Sequence, residues 1–102
     1  MSNELSRVDE FALIRLNRPE ALNALSFALI DDLGAAIDEA GRSDARALLF
    51  IGAGDKAFCA GADIKELTGR DLIAQRRGAE LGQATFAKLD ALPMPSLAVV
   101  NG

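Results

Sequence analysis

The chain has 102 residues, of which 50% are hydrophobic and 25% charged, and its formal net charge is -4 at pH 7. This size and balance predict one soluble domain over residues 1–102, with a modest core and no internal boundary. The sequence contains no histidine, which excludes imidazole metal sites and histidine-based triads within it. The acidic balance argues against a nucleic-acid partner, because phosphate binding needs a basic face.

Hydropathy and the first residues predict where the protein resides. No apolar run in the sequence approaches the roughly 18 residues that a membrane-spanning helix needs, and residues 1–4 lack the basic and apolar regions of a signal peptide. We therefore expect no membrane partner and a cytoplasmic location. Cys59 is the single cysteine, so an internal disulfide is excluded, which fits a reducing compartment.

The first predicted element is a hairpin. Residues 5–8 and 11–16 flank a two-residue turn, and the second run has apolar side chains on both of its faces, which predicts a mostly buried second strand. Pro19 then breaks the pattern, because proline cannot extend a strand ladder. A loop is expected from there to Leu25.

A strand, helix, strand crossover is expected around the next helix. Ser26 is a suitable N-cap, apolar residues follow it at helical spacing, and Gly41 is the expected stop. Residues 45–51 are almost uniformly apolar, as in a central parallel strand covered by helices. The apolar helix positions are Phe27, Ile30, Leu33 and Ile37.

The last third of the chain predicts a second helix over residues 72–91 and a buried strand over residues 96–100, with two prolines between them. No helix follows that strand to cover it, so we expect another chain or a further segment against its apolar face. The expected contact stripe of the helix consists of Ala79, Gly82, Phe86 and Leu89.

Residues 56–67 carry the most direct chemical signal. Residues 57–62 are almost all Ala, Cys or Gly, so another group can approach the main chain closely. Asp63 is a suitable N-cap for a helix behind it, which would leave the amides around Ala62 unpaired and pointing outward, where they bind negative charge. The alternative is a strand-to-helix connection whose small residues only pack tightly.

A dinucleotide site is a further alternative for the preceding turn. Its sequence, Gly52-Ala53-Gly54-Asp55-Lys56-Ala57, fits the loose Gly-x-Gly-x-x-Ala form after a strand, with Asp71 as the ribose partner. That fingerprint requires a helix to begin at once, whereas residues 58–62 have no helical stripe.

Three motifs in the same order resemble those of the enoyl-CoA hydratase/isomerase (crotonase) superfamily. Residues 58–67 resemble its first oxyanion-hole segment, residues 16–25 its loop after the second strand, and residues 92–102 its strand ending in Asn-Gly. The motifs read Phe-Cys-Ala-Gly-Ala-Asp-Ile-Lys-Glu-Leu, Leu-Asn-Arg-Pro-Glu-Ala-Leu-Asn-Ala-Leu and Leu-Pro-Met-Pro-Ser-Leu-Ala-Val-Val-Asn-Gly. The resemblance implies an α/β fold with the superfamily's ββα-type spiral core, of which this chain would be a truncated N-terminal portion.

The resemblance also implies a site built mainly from backbone groups. The amide of Ala62 would be one of two oxyanion donors to the thioester carbonyl of an acyl-CoA. Ala24 would lie beside the pantetheine, and Lys56 or Arg18 would meet the CoA phosphates. The expected lining of the adenine and pantetheine path is Ala60, Asp63, Ile64 and Lys65.

Each of these side chains also has a purely structural interpretation. Lys56, Lys65 and Arg18 are alternatively solvated surface charges, and Asp63 is alternatively a helix cap. Cys59, inside the same motif, is interpreted as a small buried hydrophobe.

The resemblance implies a lyase of fatty acid metabolism that adds water to a trans-2-enoyl-CoA through a stabilised thioester enolate. CoA belongs to the substrate, so no cofactor is expected, and the full-length form would be a homo-oligomer, a trimer or hexamer. The superfamily's second oxyanion amide and its acid and base match no position here, so the 102-residue chain alone is expected to be inactive. The alternatives are another reaction of the superfamily, such as isomerisation, hydrolysis or dehalogenation, and a non-catalytic CoA-binding or assembly module.

Overall fold

A computed structural model describes residues 2–61 and 72–102 of the chain. Within these residues, four strands form one sheet in the order β1-β2-β3-β4, with β1 antiparallel to β2 and the other neighbours parallel. The elements are β1 (Ser2–Val8), β2 (Phe11–Asn17), a 3-10 helix (Pro19–Ala21), α1 (Phe27–Gly41), β3 (Ala47–Gly52), α2 (Leu72–Ala87) and β4 (Ser96–Val99).

The predicted hairpin is present, but its second strand is buried on one face only. Val8 pairs with Phe11 across the two-residue turn. In β2, alternate residues such as Ile14 are buried, whereas Phe11 and Arg15 between them are exposed. The expectation of a mostly buried strand was wrong, because one face of the pleated strand packs on the core and the other faces solvent.

The strand, helix, strand crossover is confirmed. The Leu29 amide donates a 3.2 Å hydrogen bond to the Ser26 hydroxyl, which caps α1 as predicted. The helix ends at Gly41, and β3 then runs parallel to β2, with Phe11 opposite Ala47 and Leu16 opposite Gly52.

The core lies between this crossover helix and one face of the sheet. Ile14, Ile37 and Leu48, from β2, α1 and β3, are fully buried. Burial of an Ile or Leu side chain stabilises a fold by about 1.5–3 kcal/mol, so these contacts fix α1 on the sheet. The other buried members of the cluster are Ala12, Leu16, Leu33, Ala40, Ala45, Phe50 and Met94.

The predicted stripe of the second helix was wrong. Ala79 is exposed and Phe86 is 43% exposed, whereas Gly78 and Thr85 are the buried residues of α2. The reason is that α2 packs on α1, where Gly78 meets the Phe27 ring. The helix is also shorter than predicted, because residues 88–91 form turns closed by bonds between residues three apart, such as Leu89 N–H to the Phe86 carbonyl.

β4 is an outer strand whose side chains are largely exposed. Leu97 is 56% exposed, Val99 is 45% exposed and Val100, just past the strand, is 75% exposed. The expectation of a buried strand over residues 96–100 was wrong for the part of the chain that the structure describes, because the core cluster there contains no residue of β4. Among residues 2–61 and 72–102, no helix is both long and apolar enough to cross a membrane.

Two glycines of α2 provide a matched test of how this helix packs. An alanine Cβ at Gly82 would meet nothing within 4 Å, so Gly82→Ala should raise the free energy of unfolding by about 1 kcal/mol through helix propensity. At Gly78 the Cβ would collide with the Phe27 ring, so Gly78→Ala should lower it by about 1 kcal/mol or more. Urea unfolding measures both, and equal shifts in one direction would contradict the described packing.

Candidate functional site

Three loops meet at one edge of the sheet. The parallel strands β2, β3 and β4 all end there, so residues 18–25, 53–61 and 100–102 leave the sheet side by side. In open sheets of this kind, ligands bind outside the carboxyl ends of the strands. The candidate site therefore lies among these loops.

Asn23 ties the first loop to the second. Its side chain is 1% exposed, and its Oδ1 accepts a 2.9 Å hydrogen bond from the Arg18 amide. Its Nδ2 donates to the carbonyls of Ala53 at 3.0 Å and Ala57 at 2.9 Å. One buried amide group thus holds both loops at a fixed separation.

Asn101 holds the same second loop from the other side. Its Oδ1 accepts from the Gly52 amide, and its Nδ2 donates to the carbonyls of Gly52 and Gly54, each at 3.1 Å. We call the two side chains, together with residues 52–57, the asparagine clamp. An amide side chain suits this position because it combines donors and an acceptor in one group.

Backbone bonds join the end of the second loop to the first. The Leu25 amide donates to the Gly61 carbonyl at 2.7 Å, and the Ala60 amide donates to the Leu22 carbonyl at 3.0 Å. The chain is therefore held against the first loop up to Gly61, immediately before Ala62 in the sequence.

The structure brings together three of the residues predicted for the site. The guanidinium of Arg18 donates through Nη1 to the Ala24 carbonyl at 3.3 Å, and Ala60 lies across the backbone bridge from the same loop. Lys56 is exposed and lines a separate cleft of about 230 Å³ with Asn23. The other predicted site residues, Ala62, Asp63, Ile64 and Lys65, lie outside the described residues.

An apolar cleft of about 250 Å³ opens beside this bridge. Cys59 contributes to its wall, and the sulfur lies 3.9 Å from the Gly61 carbonyl. The half-buried thiol among apolar neighbours agrees with its interpretation as a small hydrophobe. The cleft is lined by Leu16, Leu25, Leu33, Phe50, Phe58, Cys59, Phe86, Leu89 and Ala98.

The dinucleotide alternative was wrong for the turn after β3. Residues 53–61 contain no helix, whereas the fingerprint needs one to begin there. The carbonyls of Ala53, Gly54 and Ala57 accept from asparagine side chains instead. Asp71, its expected ribose partner, lies outside the described residues.

A carboxyl group at the opposite edge of the sheet, away from the three loops, has a lowered pKa. A 2.7 Å hydrogen bond from Arg7 and its positive charge lower the pKa of Asp44, which precedes β3. Stability from such a pair is present above the ordinary carboxyl pKa and lost as the pH falls through the lowered value. Because Asp44 is exposed and remote, this titration does not act on the candidate site.

Sequence reasoning missed the role of the two asparagines, which it read only as parts of motifs. Asn23 has a left-handed backbone, with φ 58°, a conformation that asparagine tolerates better than most residues. An asparagine at such a turn position was the available signal. Its three partners, however, include backbone groups 30 and 34 residues away, which no local pattern specifies.

The sequence of this chain is similar to a known protein family and to named relatives. The sequence model of the enoyl-CoA hydratase/isomerase family matches residues 7–102. YngF of Bacillus subtilis (strain 168) is 44% identical over 95 residues, a match that covers 92% of this chain and 36% of YngF. The short-chain-enoyl-CoA hydratase of Clostridium acetobutylicum is 37% identical over 99 residues, covering 96% of this chain and 38% of that protein.

Solved structures of similar proteins point to the same family. The crystal structure of an enoyl-CoA hydratase from Bacillus anthracis superimposes with a TM-score of 0.93 and 32% identity, over 100% of this chain and 40% of that one. The chain therefore belongs to the enoyl-CoA hydratase/isomerase family and has its α/β fold. It spans 36–38% of the length of these two curated relatives.

Gly52 tests how closely the second loop approaches β3. A Cβ there would lie 2.7 Å from both the Ala57 carbonyl oxygen and the Phe58 Cα, and closer still to the Phe58 carbonyl. Since backbone atoms cannot rotate away, Gly52→Ala should lower the free energy of unfolding by about 2 kcal/mol or more.

Gly34→Ala is the matched control for this variant. Gly34 is also buried, but its Cβ would make only ordinary contacts of 3.5 Å or more with Thr85 and Lys88. Urea unfolding should show Gly34→Ala unchanged or stabilised by up to about 1 kcal/mol. A Gly52→Ala variant as stable as the parent would show that the loop does not pack as described.

Proposed function

We propose that the protein to which this chain belongs acts on acyl-CoA thioesters and adds water to a trans-2-enoyl-CoA. The observation that carries the proposal is the backbone bridge that holds Ala60 and Gly61 against the first loop, directly before Ala62. Family membership supports the substrate class, and a relative named for short-chain enoyl-CoA hydration supports the reaction.

In this proposal, the Ala62 amide stabilises the negative charge that develops on the thioester oxygen when water adds. One preorganised amide donor of this kind contributes about 3 kcal/mol to lowering a barrier. Such a donor is useful only if it does not move during the reaction. The bond from the Leu25 amide to the Gly61 carbonyl supports the assignment, since it fixes the preceding residue.

The CoA part of the substrate is assigned to the surface next to this bridge. Ala24 and Ala60 have small side chains, which lets a pantetheine approach the backbone between them. Arg18 and Lys56 supply positive charge in a chain of net charge -4. Arg18 also supports the first loop through the Ala24 carbonyl, so we assign the phosphate contact first to the exposed Lys56. Asp63, Ile64 and Lys65 continue the path in the proposal.

The acyl chain is assigned to the apolar cleft. Leu25 and Cys59, both lining residues, are sequence neighbours of Ala24 and Ala60, so the cleft begins where the thioester would sit. An apolar tail gains about 0.8 kcal/mol for each methylene group that it buries. This continuity supports an acyl thioester over a purely polar CoA derivative.

The remaining features of the function are proposed on the family resemblance. The second oxyanion amide and the acid and base are assigned to groups that these 102 residues do not supply, so the chain alone is expected to be inactive. The full-length form is proposed to be a cytoplasmic homo-oligomer, a trimer or hexamer, without a cofactor besides the CoA of its substrate.

Replacement of Ala62 tests the catalytic assignment. In the full-length protein, Ala62→Pro removes the amide hydrogen and should lower kcat/KM for crotonyl-CoA by about 100-fold or more. Ala62→Gly keeps the hydrogen and is the control, with a loss of at most about tenfold from added backbone freedom. Loss of the enoyl thioester absorbance measures both rates. A folded Ala62→Pro variant within about threefold of the parent would contradict the assignment.

Replacement of Lys56 tests the phosphate assignment. Lys56→Ala should raise the calorimetric Kd for CoA by about fivefold at low salt, with a smaller effect at high salt. It should leave the Kd for an acyl-pantetheine, which lacks the nucleotide phosphates, unchanged. Lys88→Ala, which removes a lysine just past α2 that pairs with Asp38 of α1, is the control for charge. Equal weakening of both ligands by Lys56→Ala would contradict a phosphate contact.

A further inference from the structure

Among the residues that the structure describes, Asn23 is the most buried polar residue at the edge of the sheet where the three loops meet. Only 1% of the residue is exposed, yet its side chain makes three hydrogen bonds of 2.9–3.0 Å. Both amide hydrogens and one acceptor are used, so its orientation is fixed. A group this completely bonded has little freedom to tilt or shift.

All three partners of the side chain are backbone groups of the loops that flank the proposed site. One is the amide of Arg18, at the start of the loop that carries Ala24. The other two are carbonyls on either side of Lys56, in the loop that leads to Ala60. The side chain therefore sets the distance between the two loops. It does not belong to the apolar core cluster.

The conformation of the first loop depends on the same residue. Leu22 and Asn23 are consecutive left-handed residues, with φ of 53° and 58°, and the Asn23 amide donates to the Arg18 carbonyl at 2.8 Å. Consecutive left-handed residues are unfavourable without tertiary support, which the side-chain bonds supply. Their loss would let the loop relax, and Ala24 and Leu25 would move with it.

We infer that Asn23 is a positioning residue of the proposed thioester site. It touches no reacting atom in this account. It keeps the first loop at a fixed distance from the second, so the Gly61 carbonyl, which accepts from the Leu25 amide, stays in place beside the proposed thioester site. The inference rests on the proposed function. A misplacement of about 1 Å at such a site lowers a rate by up to about 100-fold.

Two substitutions of Asn23 test the inference in the full-length protein. Asn23→Asp keeps the size but cannot donate to the two carbonyls when ionised. Asn23→Gly removes all three bonds. Glycine adopts the positive φ without strain, so this variant avoids the backbone strain that a larger apolar residue would add. Both should lower kcat for crotonyl-CoA by about tenfold or more while KM changes by less than about threefold, because alignment acts mainly in the transition state.

Asn3→Asp is the matched control. The Asn3 Nδ2 donates to the Leu29 carbonyl at 3.0 Å, a comparable side-chain to backbone bond between β1 and α1, away from the three loops. This variant should lower the Tm and leave kcat unchanged when assayed well below the Tm. A drop in kcat equal to that of the Asn23 variants would show a general structural effect and overturn the inference.

The outcomes separate the inference from the proposed function. A parent protein that does not hydrate crotonyl-CoA would overturn the proposed function, and the inference with it. An active parent whose folded Asn23 variants keep kcat within about twofold would overturn the inference alone. If neither Asn23 variant accumulates as folded protein, Asn23 is a structural residue and the inference is also overturned.

Discussion

The asparagine clamp is the constraint on which the candidate site depends. The turn after β3 has no regular secondary structure, yet its carbonyls at residues 53, 54 and 57, like that of Gly52 at the end of β3, all accept hydrogen bonds from Asn23 or Asn101. The bonds to residues 52, 53 and 57 are part-buried, and a buried carbonyl left without a donor costs about 1–3 kcal/mol, so the two side chains stabilise the turn through these three bonds. They also connect β3 to the segments that follow its two neighbours in the sheet, β2 and β4. The loop geometry is thus set by tertiary bonds and not by local preference.

Fixed loops suit a site that works through backbone groups. A side chain can change rotamer to meet a ligand, whereas a main-chain amide is placed only by the segment that carries it. Gly52 and Gly102 allow the second loop to pack closely, because a Cβ at either position would collide with backbone atoms of that loop. The proposed chemistry, stabilisation of charge on a thioester oxygen, needs donors that are already in place before the charge forms.

The sequence predicted the elements of the fold better than their packing. Ser26 caps the start of α1 as local capping rules predict, the helix ends at Gly41, and the apolar run at β3 is a central strand. The predicted contact stripe of α2 was wrong because α2 packs on α1 through Gly78. A glycine has no side chain, so a hydrophobic pattern cannot indicate this contact. The family resemblance of two motifs predicted that Ala24 and Ala60 lie near each other at the site. The clamp itself was not predicted, because bonds across 30 to 49 residues are decided by the folded sheet and not by neighbouring sequence.

A double-mutant cycle between Asn23 and Asn101 tests the clamp most directly. Asn23→Ala, Asn101→Ala and the double variant would be compared by free energy of unfolding in urea. Both side chains bond to residues 52–57. Loss of either asparagine therefore leaves the remaining one bonded to a less rigid segment. The loss in the double variant should therefore fall short of the sum of the single losses by about 1 kcal/mol. Losses that add to within about 0.3 kcal/mol would show two independent contacts, and the account of a jointly held loop would be wrong.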